Sequence, residues 1–112
     1  MATEHDLYFI SMAARMLDMH PQTLRKYERL GLVRPSRTIG SMRLYSRGEL
    51  ERLRLIKHLV DEAGVNLAGV QRLLTIAEAL QRIRPLVRPE ASRSDVRRLA
   101  EEIERIEELV GL

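Results

Sequence analysis

His20-Pro21-Gln22-Thr23-Leu24-Arg25-Lys26-Tyr27-Glu28-Arg29-Leu30-Gly31-Leu32 is the stretch whose reading decides the fold. Pro21 has a fixed φ and no amide hydrogen to lose, so it suits a first helical position; His20 before it is pushed out of the α region. Gly31 is a natural left-handed stop. The spacing predicts a helix from Pro21 to about Leu30. At about 100° per residue, Thr23, Leu24, Tyr27 and Leu30 share one side, suited to packing. Gln22, Arg25, Lys26 and Arg29 cluster on the other. A recognition helix needs this division, with one face anchored and the other offering forked donors and an amide to base edges and phosphates. Arg25 suits bidentate contact with a guanine edge, and Lys26 and Arg29 suit phosphates. Any amphipathic surface helix can carry such a face, so the neighbouring segments decide.

Upstream, residues 7–10 are a short apolar run rich in strand formers, and Ser11 can cap a helix whose stripe is Met12, Ala13, Met16 and Leu17, ending near Asp18. Two short helices about three residues apart form a helix-turn-helix pattern, with His20 as a local cap. Downstream, residues 34–38 and 42–46 flank a tip of Ile39-Gly40-Ser41 and predict a β-hairpin. Arg37 and Arg43 lie near that tip, where long cationic side chains reach a phosphate or the minor groove, as a wing does. Tyr45 either packs under the hairpin and aims its hydroxyl at a phosphate or is a half-buried strand residue. Ser46 and Glu49 have capping-box spacing and open a third helix with Leu50, Leu53, Ile56, Leu59 and Val60 inward, ending at Gly64. Asn66 caps a fourth, carrying Leu67, Val70, Leu73, Leu74 and Ala77. Pro85 and Pro89 make residues 84–91 a linker or bend. A last helix opens at Ser92, and its Val96, Leu99, Ile103, Ile106 and Val110 form a heptad seam of about two repeats.

Composition narrows the classes. The chain has 112 residues, 45% hydrophobic and 31% charged, in the range of a soluble globular domain. No apolar run approaches the roughly 18 residues of a membrane span, and the first six residues do not resemble a signal peptide. Zero cysteines remove disulfides, thiolate metal sites and cysteine catalysis together. His5, His20 and His58 do not converge, no metal-ligand spacing occurs, and no paired acids or phosphate loop suggest an enzyme or a cofactor. Charge is unevenly spread: residues 20–60 hold ten basic and three acidic residues, a net +7, whereas residues 95–112 carry −3. A basic block beside an acidic periodic tail suggests a polyanion-binding module joined to something else.

Tyr8-Phe9-Ile10-Ser11, the His20–Leu32 stretch with its Thr23-Leu24-Arg25-x-Tyr27-Glu28 core, and then Arg43-Leu44-Tyr45-Ser46 followed by Leu50-Glu51-Arg52-Leu53 resemble, in order, the MerR-family winged-helix domain. The resemblance covers residues 8–76. His20-Pro21-Gln22-Thr23-Leu24 and Gly64-Val65-Asn66-Leu67-Ala68-Gly69-Val70 are similar to the heat-shock repressor (HspR) branch of that family. The resemblance implies a mainly α, winged helix-turn-helix fold with a small hairpin wing and a C-terminal helix. It also implies a repressor of chaperone genes acting as a homodimer on an inverted repeat, with the DnaK chaperone as co-repressor. Contacts to double-stranded DNA are implied for Gln22, Thr23, Arg25, Lys26 and Tyr27 in the helix and Arg37, Arg43 and Tyr45 in the wing. Relatives commonly dimerise through one long C-terminal helix; here Pro85 and Pro89 break that region, so the short seam needs help from other surfaces. The 36 residues after Ile76 are too few for a separate drug-sensing domain, which favours regulation by a protein partner.

The expectation is therefore a winged-helix DNA-binding domain over residues 7–76, a helix end and proline-containing linker over 77–91, and a dimerising or partner-binding helix over 92–112. The protein is expected in the bacterial cytoplasm, on the nucleoid, with no metal and no membrane. Two other readings stay open: a MerR-type activator that distorts promoter DNA, and a non-DNA interaction module whose basic face is merely solvated.

Overall fold

The computed structural model describes residues 6–112, and there the chain opens with a strand, β1 (Leu7–Phe9), that passes directly into helix α1 (Ile10–Leu17). His5 lies outside the described residues. Ser11, expected as the cap of α1, is instead inside its first turn, and Phe9 occupies the cap position without a side-chain hydrogen bond. The reason is the sheet: Phe9 is paired with Leu44, so the helix begins where strand pairing ends. Ala13, Ala14 and Leu17 are buried, whereas Met12 and Met16, expected in the packing stripe, are exposed. Small residues at 13 and 14 let α1 pack against both α2 (Pro21–Arg29) and α3 (Arg47–Lys57), which rotates the inward face by one position.

Two left-handed turns frame the helix pair. Asp18 adopts φ 52°, with its N–H on Arg15 O and the Met19 N–H on Ala14 O at 2.9 Å. His20 then starts α2 by accepting the Gln22 N–H on Nδ1 at 3.0 Å. At the far end Gly31 sits at φ 76°, the Gly31 N–H bonds Glu28 O, and the Leu32 N–H bonds Tyr27 O, each at 2.9 Å. This double closure satisfies the last carbonyls and reverses the chain, for which glycine carries no Cβ penalty. Leu32 and Val33 are thereby turned into the core beside Leu24 and Tyr27, and Leu30, expected on the packing side, is exposed.

The hairpin forms with shorter strands than its flanks suggested, β2 (Ser36–Arg37) and β3 (Arg43–Ser46). Its tip is a turn closed by the Ser41 N–H on Thr38 O, with Ser41 rather than Gly40 in the left-handed region. The sheet order is β1-β3-β2, all antiparallel, so β3 is central and β1 covers the edge a free wing would expose. Ser46 and Glu49 form the expected reciprocal capping box at the start of α3. Leu50, Leu53 and Ile56 are fully buried. Instead of running on to Gly64 as an α-helix, the chain widens into a π-helical turn at His58–Glu62. Just before it, Lys57 Nζ donates to the carbonyls of Leu17 and Asp18 at 2.9 and 3.2 Å, tying the end of α1 to α3.

The chain divides into two units, Met1–Gly64 and Val65–Leu112. In the second, α4 (Leu67–Ile83) is capped by Asn66, whose Oδ1 accepts the Gly69 N–H at 2.8 Å. A short 3₁₀ turn at Arg84–Leu86 follows, and Leu86 is buried despite its proline neighbour. Helix α5 (Arg93–Val110) starts with a Ser92–Asp95 capping box and packs against α4. Arg82 grips Glu102 through Nε and Nη2 at 2.9 and 3.0 Å, and Arg88 Nη2 meets Asp95 at 2.6 Å. These arginines hold both carboxyl groups below their ordinary values.

Candidate nucleic-acid interface

Helix α2 carries the site because one of its faces is taken. Leu24 and Tyr27 are buried, so rotation about the helix axis is fixed and Gln22, Lys26 and Arg29 are left exposed, with Arg25 half-exposed. Among the described residues none pairs with these four side chains. Three cations within two turns, free of internal acids, give a local positive field suited to a polyanion. Arg25 and Gln22 add forked donors and an amide that can address base edges.

Three expected contact residues are wholly or partly withdrawn from that surface. Tyr27 is only 6% exposed, and Thr23 is half-buried. Tyr45 is fully buried, and its hydroxyl has no hydrogen-bond partner among the described residues. Burial, then the nearby Glu28 carboxylate, pushes its phenol above the ordinary value. The position explains this: Tyr45 is on the central strand, opposite Tyr8 of β1, and its ring is turned into the core. Tyr27 and Tyr45, expected to touch DNA, are thus buried behind the surface that Gln22, Arg25, Lys26 and Arg29 present.

Arg37 and Arg43 do face each other across the wing as expected, in register on β2 and β3. Both are also paired within the molecule. Glu28 of α2 takes one from each: Arg37 Nη2 donates to Oε2 at 2.8 Å and Arg43 Nε to Oε1 at 2.6 Å. Arg37 also donates through Nη1 to Ser41 O at 3.0 Å, so one guanidinium joins the wing tip to the helix. Partial burial of Glu28 pulls its carboxyl upward, but the two arginine hydrogen bonds and charges outweigh it and leave it below the ordinary glutamate value. The clamp's stabilisation is therefore present above the usual glutamate range and fades as pH falls through the lower, folded-state value. Glu28 is the residue that sequence reasoning missed. The available signal was a lone acid amid the basic residues of 20–43, counted only as lost charge.

The remaining candidates sit on α5. Leu99 and Ile106 are half-buried, while Val96, Ile103 and Val110, spaced by seven, are exposed. Leu73 and Leu80 of α4 repeat that spacing and are also exposed, and Leu73 and Val110 line one groove. Among the described residues no helix is long and apolar enough to cross a membrane. For Tyr45 the expected outcome is specific. Tyr45→Phe leaves duplex affinity unchanged and raises stability by up to about 1 kcal/mol, since an unpartnered buried hydroxyl is removed. A filter-binding titration showing tenfold weaker binding would put the hydroxyl on the DNA after all.

Residues 8–76 match the family described as MerR HTH family regulatory protein. HspR of Streptomyces coelicolor, named as a heat shock protein, is 49% identical over 70 residues, which are 62% of this chain and 46% of that one. The regulator MlrA of Escherichia coli K12 is 40% identical over 70 residues, 62% of this chain and 28% of its own. The chain thus spans less than half the length of these two relatives. Among solved structures, HiNmlR, a MerR family regulator lacking the sensor domain and bound to promoter DNA, aligns with a TM-score of 0.59 over 96% of this chain and 80% of its own, at 21% identity, a likeness of fold. With the family matched across most of the chain, and with the helix pair, wing and basic outer face in place, the protein belongs to the MerR HTH family of DNA-binding transcription regulators, which are not enzymes.

Proposed function

We propose that the protein is a dimeric repressor of heat-shock genes that reads an inverted-repeat operator in the bacterial cytoplasm. The observation that carries this reading is the outer face of α2: Gln22, Arg25, Lys26 and Arg29, unpaired among the described residues, on a helix whose opposite face is locked into the core. Each protomer lays that face in a major groove and sets its wing beside the backbone. Arg25 reads a base edge, while Lys26, Arg29 and the spare N–H groups of Arg37 and Arg43 meet phosphates, so affinity falls steeply with salt. Kinship to HspR, named as a heat shock protein, supports the heat-shock assignment; DnaK as co-repressor is what the resemblance to the heat-shock repressor branch implies.

Dimerisation is assigned to the second unit. Two seven-spaced apolar rows, Val96-Ile103-Val110 and Leu73-Leu80, stay exposed in the single chain, with Leu99 and Ile106 half-buried behind the first. Both rows are the kind of surface that a second copy covers by helix packing. A two-fold dimer demands a near-palindromic site with spacing set by protein geometry.

The decisive experiment is selection of bound fragments from random DNA, followed by sequencing; a palindrome is the expected product, and an unstructured or absent consensus would defeat the reading. On the selected operator, Arg25→Ala is expected to weaken binding by about 1–3 kcal/mol and to relax preference at one base step. Equal weakening on operator and random duplex would reduce Arg25 to a backbone contact. Ile103→Asp should lower the dimer fraction in sedimentation and operator affinity together; a monomeric variant with full affinity would refute the assigned interface. Purified DnaK added to a gel shift should tighten operator binding, and an unchanged shift would remove it as co-repressor.

A further inference from the structure

The charged groups of the wing and the recognition surface are not independent, and their connection is a single carboxylate. Glu28 lies on the side of α2 between its buried and its outward faces, with its side chain 21% exposed. Each of its oxygens is engaged by a different wing arginine, Oε2 by Arg37 and Oε1 by Arg43. Those guanidiniums come from opposite strands of the hairpin, in register with each other. Arg37 is further fixed to the wing tip through the carbonyl oxygen of Ser41, itself the left-handed residue that shapes the turn. A two-residue strand such as β2 has little backbone pairing with which to hold a wing in place. The side-chain fork supplies what the short ladder does not.

We propose that Glu28 is a positioning residue, clamping Arg37 and Arg43 so that the wing and the outer face of α2 present one rigid footprint to a duplex. The inference rests on the reading of α2 and the wing as the DNA-facing surface and adds how the two are held in register. Charge arithmetic favours a clamp over a mask: two guanidiniums and one carboxylate leave a net positive group. Each arginine also keeps N–H donors that Glu28 does not use. The carboxylate lowers the attraction for phosphate in general and, by fixing where those donors point, raises it for a duplex of matching shape.

Two signs of effect distinguish positioning from simple electrostatics. Removing a negative charge from a DNA-facing surface should strengthen binding to every duplex alike. Loss of a positioning group should weaken binding to the selected operator alone. Glu28→Ala is therefore expected to bind random duplex as well as or better than the wild type, and to bind the selected operator about tenfold more weakly, the loss of one to two charge-assisted contacts. Hydroxyl-radical footprints should lose protection under the wing while keeping it under α2. Glu28→Gln preserves volume and tests the clamp without DNA: amide hydrogen exchange should quicken at Thr38 and Met42 in the wing and stay unchanged along α3. A variant that gains affinity equally for operator and random duplex would overturn the proposal, as would unaltered exchange at both wing amides. A wild-type chain that prefers no duplex would instead sink the underlying reading of the surface, so the two failures are distinct.

Discussion

Burial of Leu24 and Tyr27 is the constraint from which the rest of the first unit follows. A nine-residue helix is too short to persist alone, so α2 exists because tertiary packing holds it. Ala13 and Ala14 on α1 allow the close approach, and the left-handed turns at Asp18 and Gly31 set where α2 begins and ends. Once its inner face is fixed, helical geometry leaves no choice for the outer one: the cations at 25, 26 and 29 must face away from the core. Function is here a consequence of packing, since the exposed face gains its orientation from residues that never touch a ligand.

The wing extends the same logic by other means. It has little core of its own, and its strands are short. Tyr45 anchors it from below through full burial, and Glu28 gathers it from the side through two arginines. A buried ring supplies stability without much direction; a carboxylate with two forked partners supplies direction, because charge-assisted hydrogen bonds are geometrically exacting. Glu28, Arg43 and Tyr45 stand within the motifs that carry the family resemblance, yet the division of labour runs against the simplest reading of each. The tyrosine with the available hydroxyl is interior, and the acid that seemed to subtract charge organises it.

In the second unit the balance is reversed. Arg82 of α4 pairs with Glu102 of α5, Arg88 of the connecting segment pairs with Asp95 at the start of α5, and Val70, Leu74, Ala79 and Leu86 supply the buried apolar contacts. The heptad seam read from α5 is divided in the fold: Leu99 and Ile106 are drawn partly inward while Val96, Ile103 and Val110 are left out. Sequence periodicity alone treats all five as equivalent. Packing against α4 separates them, and the exposed row lies where a further surface can meet it.

What the residues alone determined was local: the proline start and glycine stop of α2, the Ser46–Glu49 and Ser92–Asp95 capping boxes, the Asn66 cap, the hairpin with its tip, and the basic outer face. Each depends on groups within about four positions of one another, a distance over which backbone chemistry dictates the outcome. Tertiary structure alone decided that β1 closes the sheet onto β3, that Ser11 gives up its cap, that Met12 and Met16 stay outside, and that Glu28 reaches residues 9 and 15 positions away. The physical reason is the same in every case. Such contacts join chain segments whose proximity no local propensity encodes, and they arise only after the core has brought those segments together.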